Sequence, residues 1–266
     1  MRNHLYVLIL LLLFSSCEEV VDISLKNVQS AVVVEATVTN LPGGQTVKIS
    51  TTTDYYNPSL PLMKQGAEVS VLDDLGNSWL FNEISKGVYT NGNLTGKEGR
   101  KYTLEVKVDG KDITGESEMQ TVTPIDSIRS EYFPGTRFAD PGYFVIIMFT
   151  DPPGEDPDYY RIRMFNGQKP NPVIQLVDDR LTNGNQMEFF LYGGSYQPGD
   201  TAIVELQSID YGTYIYFYTL SNVLASDQQG ATSTPANPNT NLSDDALGYF
   251  GAIAISRDTL VIRDHD

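Results

Sequence analysis

Short runs of β-branched or alternating apolar and polar residues fill the first half of the chain and constrain its fold more than any other feature. They cover residues 31–39, 45–52, 67–71 and 102–109. A period of two places the apolar residues on one face of a strand, which then packs on that face only. Turn residues such as Asp109 and Gly110 separate the runs. This pattern predicts a mainly β chain, with an immunoglobulin-like or transthyretin-like β-sandwich over residues 31–122.

A second β-rich domain is predicted over residues 123–266, after a boundary at Thr123 and Pro124. The continuous apolar run 143–149 is typical of a strand that is buried on both faces. Asp210 can cap a helix, and apolar residues three or four apart predict one substantial helix over about 210–226. The polar run 227–241 has no periodicity and is expected to be a functional or disordered loop. Further strands are expected at 158–165, 173–177, 186–192, 201–208, 248–255 and 259–262.

The start of the chain has the order of a bacterial export signal. Arg2 precedes an apolar run over residues 5–14, which is followed by Ser15, Ser16 and Cys17. That run is too short for a bilayer core of about 30 Å. Residues 13–17 resemble a relaxed lipobox, in which the cysteine becomes the acylated first residue. We therefore expect a lipoprotein signal peptide over residues 1–16 and a lipid anchor on Cys17, with a plain secretory signal and an incidental cysteine as the alternative.

Two acidic residues, Glu18 and Glu19, follow the expected anchor directly. They resemble the export signal that sends lipoproteins of the Bacteroidetes type to the outer face of the outer membrane. A solvated acidic tether over residues 17–30 is the simpler alternative. The net charge of −16 repels phosphate groups, so nucleic acid is a poor candidate partner.

The residues available for chemistry argue against common catalytic sites. His4 would leave with the signal peptide, His265 is the penultimate residue, and Cys17 is the single cysteine. A Ser-His-Asp or Cys-His arrangement therefore lacks its base or nucleophile, and zinc lacks its usual nitrogen and sulfur ligands. We expect a protein that is not an enzyme and has no required cofactor.

Two groups of side chains remain as candidate binding residues. Acidic residues are concentrated in one segment and could supply oxygen ligands for calcium, although a rigid acidic turn is the simpler interpretation: Asp151, Glu155, Asp156 and Asp158. Tyrosines near predicted loops could stack on sugars or contact a partner protein, although core packing is the commoner role: Tyr55, Tyr56, Tyr192 and Tyr196.

The order and spacing of several segments resemble one family of outer-membrane lipoproteins, the domain of unknown function 4249. The segments are 32–40, 66–71, 87–89, 99–106, 123–128, 149–154, 158–161 and 247–251. Proteins of this family are often encoded beside TonB-dependent receptors, and the family has no established activity. The resemblance implies a surface-exposed lipoprotein that serves as an accessory of a TonB-dependent outer-membrane receptor in nutrient uptake. An independent glycan- or matrix-binding module and a structural or assembly lipoprotein remain alternatives.

Overall fold

The computed structural model describes residues 30–53, 61–136, 141–191, 193, 195–228 and 237–264, and within them fifteen strands and one helix. The first seven strands are β1 Val32–Thr39, β2 Thr46–Thr51, β3 Glu68–Asp73, β4 Ser78–Ser85, β5 Val88–Thr90, β6 Lys101–Val108 and β7 Lys111–Glu118. The next seven are β8 Ile125–Phe133, β9 Gly142–Thr150, β10 Tyr159–Asn166, β11 Lys169–Pro170, β12 Gln175–Asp178, β13 Gln186–Phe190 and β14 Thr201–Ile209. Helix α1, Tyr211–Gln228, and strand β15, Leu247–Val261, complete the order. The chain is mainly β, as the sequence predicts.

The first sandwich is built from β1 to β7, and the predicted β-sandwich is confirmed. Its strands follow the order β1-β2-β5-β4-β3-β6-β7, and alternate residues of β1 and β6 point into one shared core. Val34 and Leu104, for example, are fully buried on opposite sides of that core. The Asp109-Gly110 turn between β6 and β7 has positive φ at both residues, as a two-residue hairpin loop requires. Trp79 is partly buried against this core.

The second sandwich places the three-stranded sheet β13-β9-β8 against a sheet formed by β10, β14 and the end of β15. Val145, Ile147 and Phe149 of β9 face Ile162 and other core residues of β10 and β14. On the other face of β9, Ile146 is buried, whereas Phe144 and Met148 are half-buried. The prediction of burial on both faces is therefore met completely on one face and partly on the other.

Strand β15 belongs to both sandwiches. Residues 247–253 pair in parallel with β1, and residues 254–261 pair antiparallel with β14. Phe250, Ala252 and Ala254 lie in the core of the first sandwich, although they fall within the predicted second domain 123–266. The separate strands predicted at 248–255 and 259–262 are in fact one, because residues 256–258, which resemble a turn in sequence, continue the ladder with β14.

Helix α1 covers the outer face of the sheet where β15 passes from one sandwich to the other. The carboxylate of Asp210 accepts a hydrogen bond from the Thr213 amide at 2.8 Å, which confirms the predicted cap. Tyr214, Tyr216 and Phe217 are buried, and the latter two pack on Tyr249 of β15. Tyr211 and Tyr218 of the same helix are about half exposed.

Candidate functional site

A polar cleft of about 290 Å³ lies at the junction of the two sandwiches. We call it the junction pocket. Its floor is the outer face of β10, β14 and β15, and residues 41–44, between β1 and β2, form part of its rim. Five charged or amide side chains line the floor: Arg161, Arg163, Glu205, Gln207 and Arg257.

Strand register explains why these five side chains meet. Arg163 of β10 is opposite Glu205 of β14, and Glu205 is opposite Arg257 of β15. One step along the sheet, Arg161 is opposite Gln207. Alternate residues of a strand lie on the same face of the sheet. The five side chains of the pocket floor therefore point outward, and the residues between them along each strand point into the core of the second sandwich. The sheet therefore builds a row of charge from residues that are far apart in sequence.

Glu205 is only 3% exposed, and its carboxylate is fully engaged. Arg257 donates to its Oε1, and Nε2 of Gln207 donates to its Oε2 at 2.9 Å. A guanidinium nitrogen of Arg163 lies 3.6 Å from Oε2. One carboxylate therefore faces three arginines in the pocket, which leaves a surplus of positive charge on a chain whose net charge is −16.

Two polar atoms in the pocket are buried without a hydrogen-bond partner among the described residues, Nε of Arg161 and Oε1 of Gln207. The Arg161 guanidinium lies 3.8 Å from the centre of the Phe217 ring, and burial lowers its pKa to about 10. Leaving a buried donor or acceptor unpaired costs about 1–3 kcal/mol. A ligand with an anionic group and a hydrogen-bond donor would satisfy both atoms, and a guanidinium suits carboxylate or phosphate oxygens.

A second polar group lies at one end of the second sandwich. Asp151 follows β9, Asp158 precedes β10 and Asp179 follows β12, and one carboxylate oxygen of each lies within 4.8 Å of the others. We call these three residues the acidic cluster. Asp151 and Asp179 are fully buried.

Hydrogen bonds fix the acidic cluster in place. The Tyr160 hydroxyl donates to Oδ1 of Asp151 at 2.5 Å, and the Gly184 amide donates to its Oδ2 at 2.9 Å. The amide of Asp158 donates to Oδ1 of Asp179 at 2.9 Å. Burial, together with the charges of Asp151 and Asp179, raises the pKa of Asp158 to about 6. Burial has the largest effect on Asp179 and raises its pKa. The hydrogen bond from the Asp158 amide lowers this pKa, and the nearby Asp151 raises it further.

The structure brings together two of the four acidic residues proposed from the sequence. Asp151 and Asp158 are in the cluster, whereas Glu155 and Asp156 are exposed on the intervening loop, because that loop turns them toward solvent. Asp179 was missed, since it is distant in sequence and no local pattern marks it. Turn residues follow it, and only the three-dimensional pairing of β10 with β12 brings it to the cluster.

Tyr196, one of the four tyrosines proposed as candidate binding residues, is buried, in the core-packing role that the sequence left open. Tyr196 is 5% exposed, lies in the core of the second sandwich and donates its hydroxyl to the Phe165 carbonyl at 3.3 Å. Its backbone pairs with Tyr143 of β9, which holds the ring inside the sandwich and away from any ligand. The other candidate residues lie outside the described residues: Tyr55, Tyr56, Tyr192, Cys17, Glu18 and Glu19.

The five polar residues of the junction pocket were not predicted from the sequence. Arg161 belongs to one of the segments that resemble the family, but no local pattern marks it as a pocket residue. A weak signal was present in β14, where Glu205 and Gln207 interrupt an otherwise apolar run. Charged and amide side chains at buried strand positions are unusual unless they are paired, and they could have marked this face.

These features define a β-sandwich protein in which two sandwiches share one strand and enclose a polar pocket at their junction. Residues 18–259 match the family described as Domain of unknown function (DUF4249), and the chain belongs to that family. No curated protein matches the chain. Among the described residues, no helix combines the length and the apolar character needed to cross a membrane.

Two solved structures have a low similarity to this chain. The chicken interferon gamma receptor alpha chain is 11% identical with a TM-score of 0.21, over 67% of this chain and 88% of that one. A DUF4785 family protein from Legionella pneumophila is 12% identical with a TM-score of 0.24, over 69% of this chain and 53% of that one. The strand pairing of this chain itself defines its fold.

Proposed function

We propose that this protein is a lipid-anchored outer-membrane lipoprotein at the cell exterior that acts as a non-enzymatic accessory of a TonB-dependent transporter. The export-signal pattern that ends at Cys17 supports the anchor, and Glu18 and Glu19 support display on the outer face. At no more than about 3.5 Å per residue, the segment 17–30 could place the first strand up to about 50 Å from the membrane surface. That reach suits a module that docks above a barrel.

The observation that carries the proposal is the chemistry of the junction pocket. Glu205, the carboxylate on its floor, is held by Arg257, Arg163 and Gln207, so its oxygens already serve as partners for side chains of the pocket. The unpaired Nε of Arg161 and Oε1 of Gln207 are suited to hold a ligand. Such an arrangement favours binding over catalysis, and the surplus positive charge favours an anionic cargo that the partner transporter would import.

The test is a mild-detergent purification of the lipidated protein from its own membranes, followed by mass spectrometry. We expect a TonB-dependent barrel in a stoichiometric amount, and its loss when Cys17→Ala removes the anchor. A protein that purifies alone would contradict the accessory role and would favour an independent binding module.

A double variant of the pocket separates docking from cargo binding. Arg161→Met with Arg163→Met preserves most of the side-chain volume but removes two of the three guanidinium groups. We expect this variant to keep the barrel and to slow import of the cargo. Normal import of every candidate nutrient, both in this variant and in a strain that lacks the protein, would refute the proposed role in uptake.

A further inference from the structure

We propose that the acidic cluster of Asp151, Asp158 and Asp179 is a calcium site that joins the loops at one end of the second sandwich. The cluster is separate from the junction pocket, which lies on the outer face of the sheet. The three residues approach from three different chain segments, and their carboxylate oxygens lie within 4.8 Å of one another. A single ion could therefore contact all three.

One oxygen in the cluster points to a missing ligand. Asp179 is fully buried, and its Oδ1 accepts the amide hydrogen of Asp158. Its Oδ2 is buried and has no hydrogen-bond partner among the described residues. A buried carboxylate oxygen with neither a donor nor a cation is costly, so this atom requires a positive charge or a proton.

The charges around the cluster are of one sign. One carboxylate oxygen of Asp158 lies within 4.8 Å of those of Asp151 and Asp179, so three acidic groups meet here. The nearest guanidinium in sequence, that of Arg180, forms its ion pair with Asp178 instead. No lysine or arginine among the described residues forms an ion pair with any member of the cluster. A divalent cation would balance this charge.

The kind of ligand selects calcium among the common cations. All three side chains offer oxygen, which calcium and magnesium prefer, whereas zinc favours nitrogen and sulfur. Calcium accepts six to eight oxygens in flexible geometry, including backbone carbonyls and water, while magnesium demands a near-ideal octahedron. Asp151 retains free lone pairs on both oxygens despite its bonds from Tyr160 and Gly184, so it can still act as a ligand.

The surrounding loops are arranged to hold an ion. The Gly154 amide donates to Oδ1 of Asn183 at 3.0 Å, and Nδ2 of Asn183 donates to the Gly154 carbonyl at 2.7 Å. These bonds connect the loop after β9 with the turn after β12. An ion between Asp151 and Asp179 would add a further link between the same two segments, and binding should therefore stabilise the fold.

Calcium binding by the purified full-length protein is tested by isothermal titration with CaCl₂ at pH 7 after chelator treatment, together with thermal unfolding. We expect one site and a rise in Tm of about 3–10 °C when free calcium exceeds the dissociation constant 10–100-fold. Asp179→Asn keeps the acceptor for the Asp158 amide and replaces the unpaired oxygen with a donor. This variant should fold without calcium, and its Tm should not respond to the ion.

The matched control is Glu155→Gln with Asp156→Asn, which removes two exposed charges from the same loop. This variant should bind calcium as the unsubstituted protein does. Absence of binding heat and of a Tm shift in the folded, unsubstituted protein would overturn the proposal. Binding that survives Asp179→Asn but is lost in the control would also overturn it, since the exposed acids would then be the site. Neither result depends on a transporter, so this test and that of the proposed function can fail independently.

Discussion

Replacement of Gly248 by alanine should destabilise both sandwiches at once. Gly248 is in β15 opposite Val34 of β1 and has a φ of +98°, a backbone conformation that side chains other than glycine rarely adopt. A Cβ atom there would lie inside the contact distance of the Val34 carbonyl oxygen. Because that atom belongs to a buried backbone, relief requires the parallel ladder between β1 and β15 to shift.

The size of the effect follows from two contributions. The left-handed conformation alone costs a residue with a Cβ about 1–2 kcal/mol. The clash with backbone adds a loss typical of overpacking, about 1–3 kcal/mol. We therefore expect Gly248→Ala to lower the free energy of unfolding by about 2–5 kcal/mol. Gly76→Ala is the matched control, since Gly76 has a φ of +84° but open space around its Cβ position, and it should lose only the first contribution.

Urea unfolding measures both variants, with the fluorescence of Trp79, the single tryptophan, reporting on the first sandwich. Far-UV circular dichroism reports on the strands of both sandwiches. We expect the two signals to change together in Gly248→Ala, because β15 is common to both units. Equal losses in the two glycine variants would refute the argument from the close contact with Val34.

Substitutions at three further positions test other parts of the structure. Asp210→Ala removes the cap of α1 and the carboxylate that accepts a hydrogen bond from the Ser117 hydroxyl at 2.7 Å. In urea unfolding it should lower the free energy of unfolding by about 2–3 kcal/mol, and Asp210→Asn should lower it by less. Glu205→Gln leaves the arginines of the junction pocket without their anion and should lower the free energy of unfolding by about 1–3 kcal/mol in the same assay. An unchanged urea midpoint would show that solvent already screens these arginines. Burial opposes a low pKa for Asp73, but hydrogen bonds from Asn77 and its neighbours outweigh it and hold the pKa at about 2. Since this folded-state pKa is below the unfolded value, the stabilising effect is present above about pH 4 and is lost toward pH 2. Asp73→Asn should therefore reduce the fall in urea midpoint over that range, and an unchanged pH profile would exclude the contribution.

The strands and the helix could be predicted because their signals are local. Alternation in β1 and β6 reflects one buried face, and this pattern holds whichever strand lies beside it. Asp210 likewise caps α1 through contact with a residue three positions away. Such short-range causes are visible in a single sequence.

The sites could not be predicted because their members meet only through strand pairing. Asp179 reaches Asp151 through the position of β12 beside β10, and Glu205 reaches Arg257 through the register of β14 with β15. The local composition also gives a wrong prediction in β15, because the polar residues 256–258 resemble a turn although the strand is continuous. Tyr196 shows the same limit, since a loop position in sequence does not reveal that the ring points into a core.

The shared strand has a consequence for how the chain acquires its structure. Asn40 and Ile255 are 215 residues apart in sequence, yet the side-chain amide of Asn40 both donates to and accepts from the backbone of Ile255. During synthesis and export, one edge of β1 stays unpaired until β15 has been synthesised. When the N-terminal half leaves the ribosome or translocon before β15 is available, its sheet is incomplete. The exposed edge of β1 can then pair with strands of other chains. The last strand thus makes completion of the first sandwich a late event, and C-terminal truncation should affect the N-terminal core as severely as the region it removes.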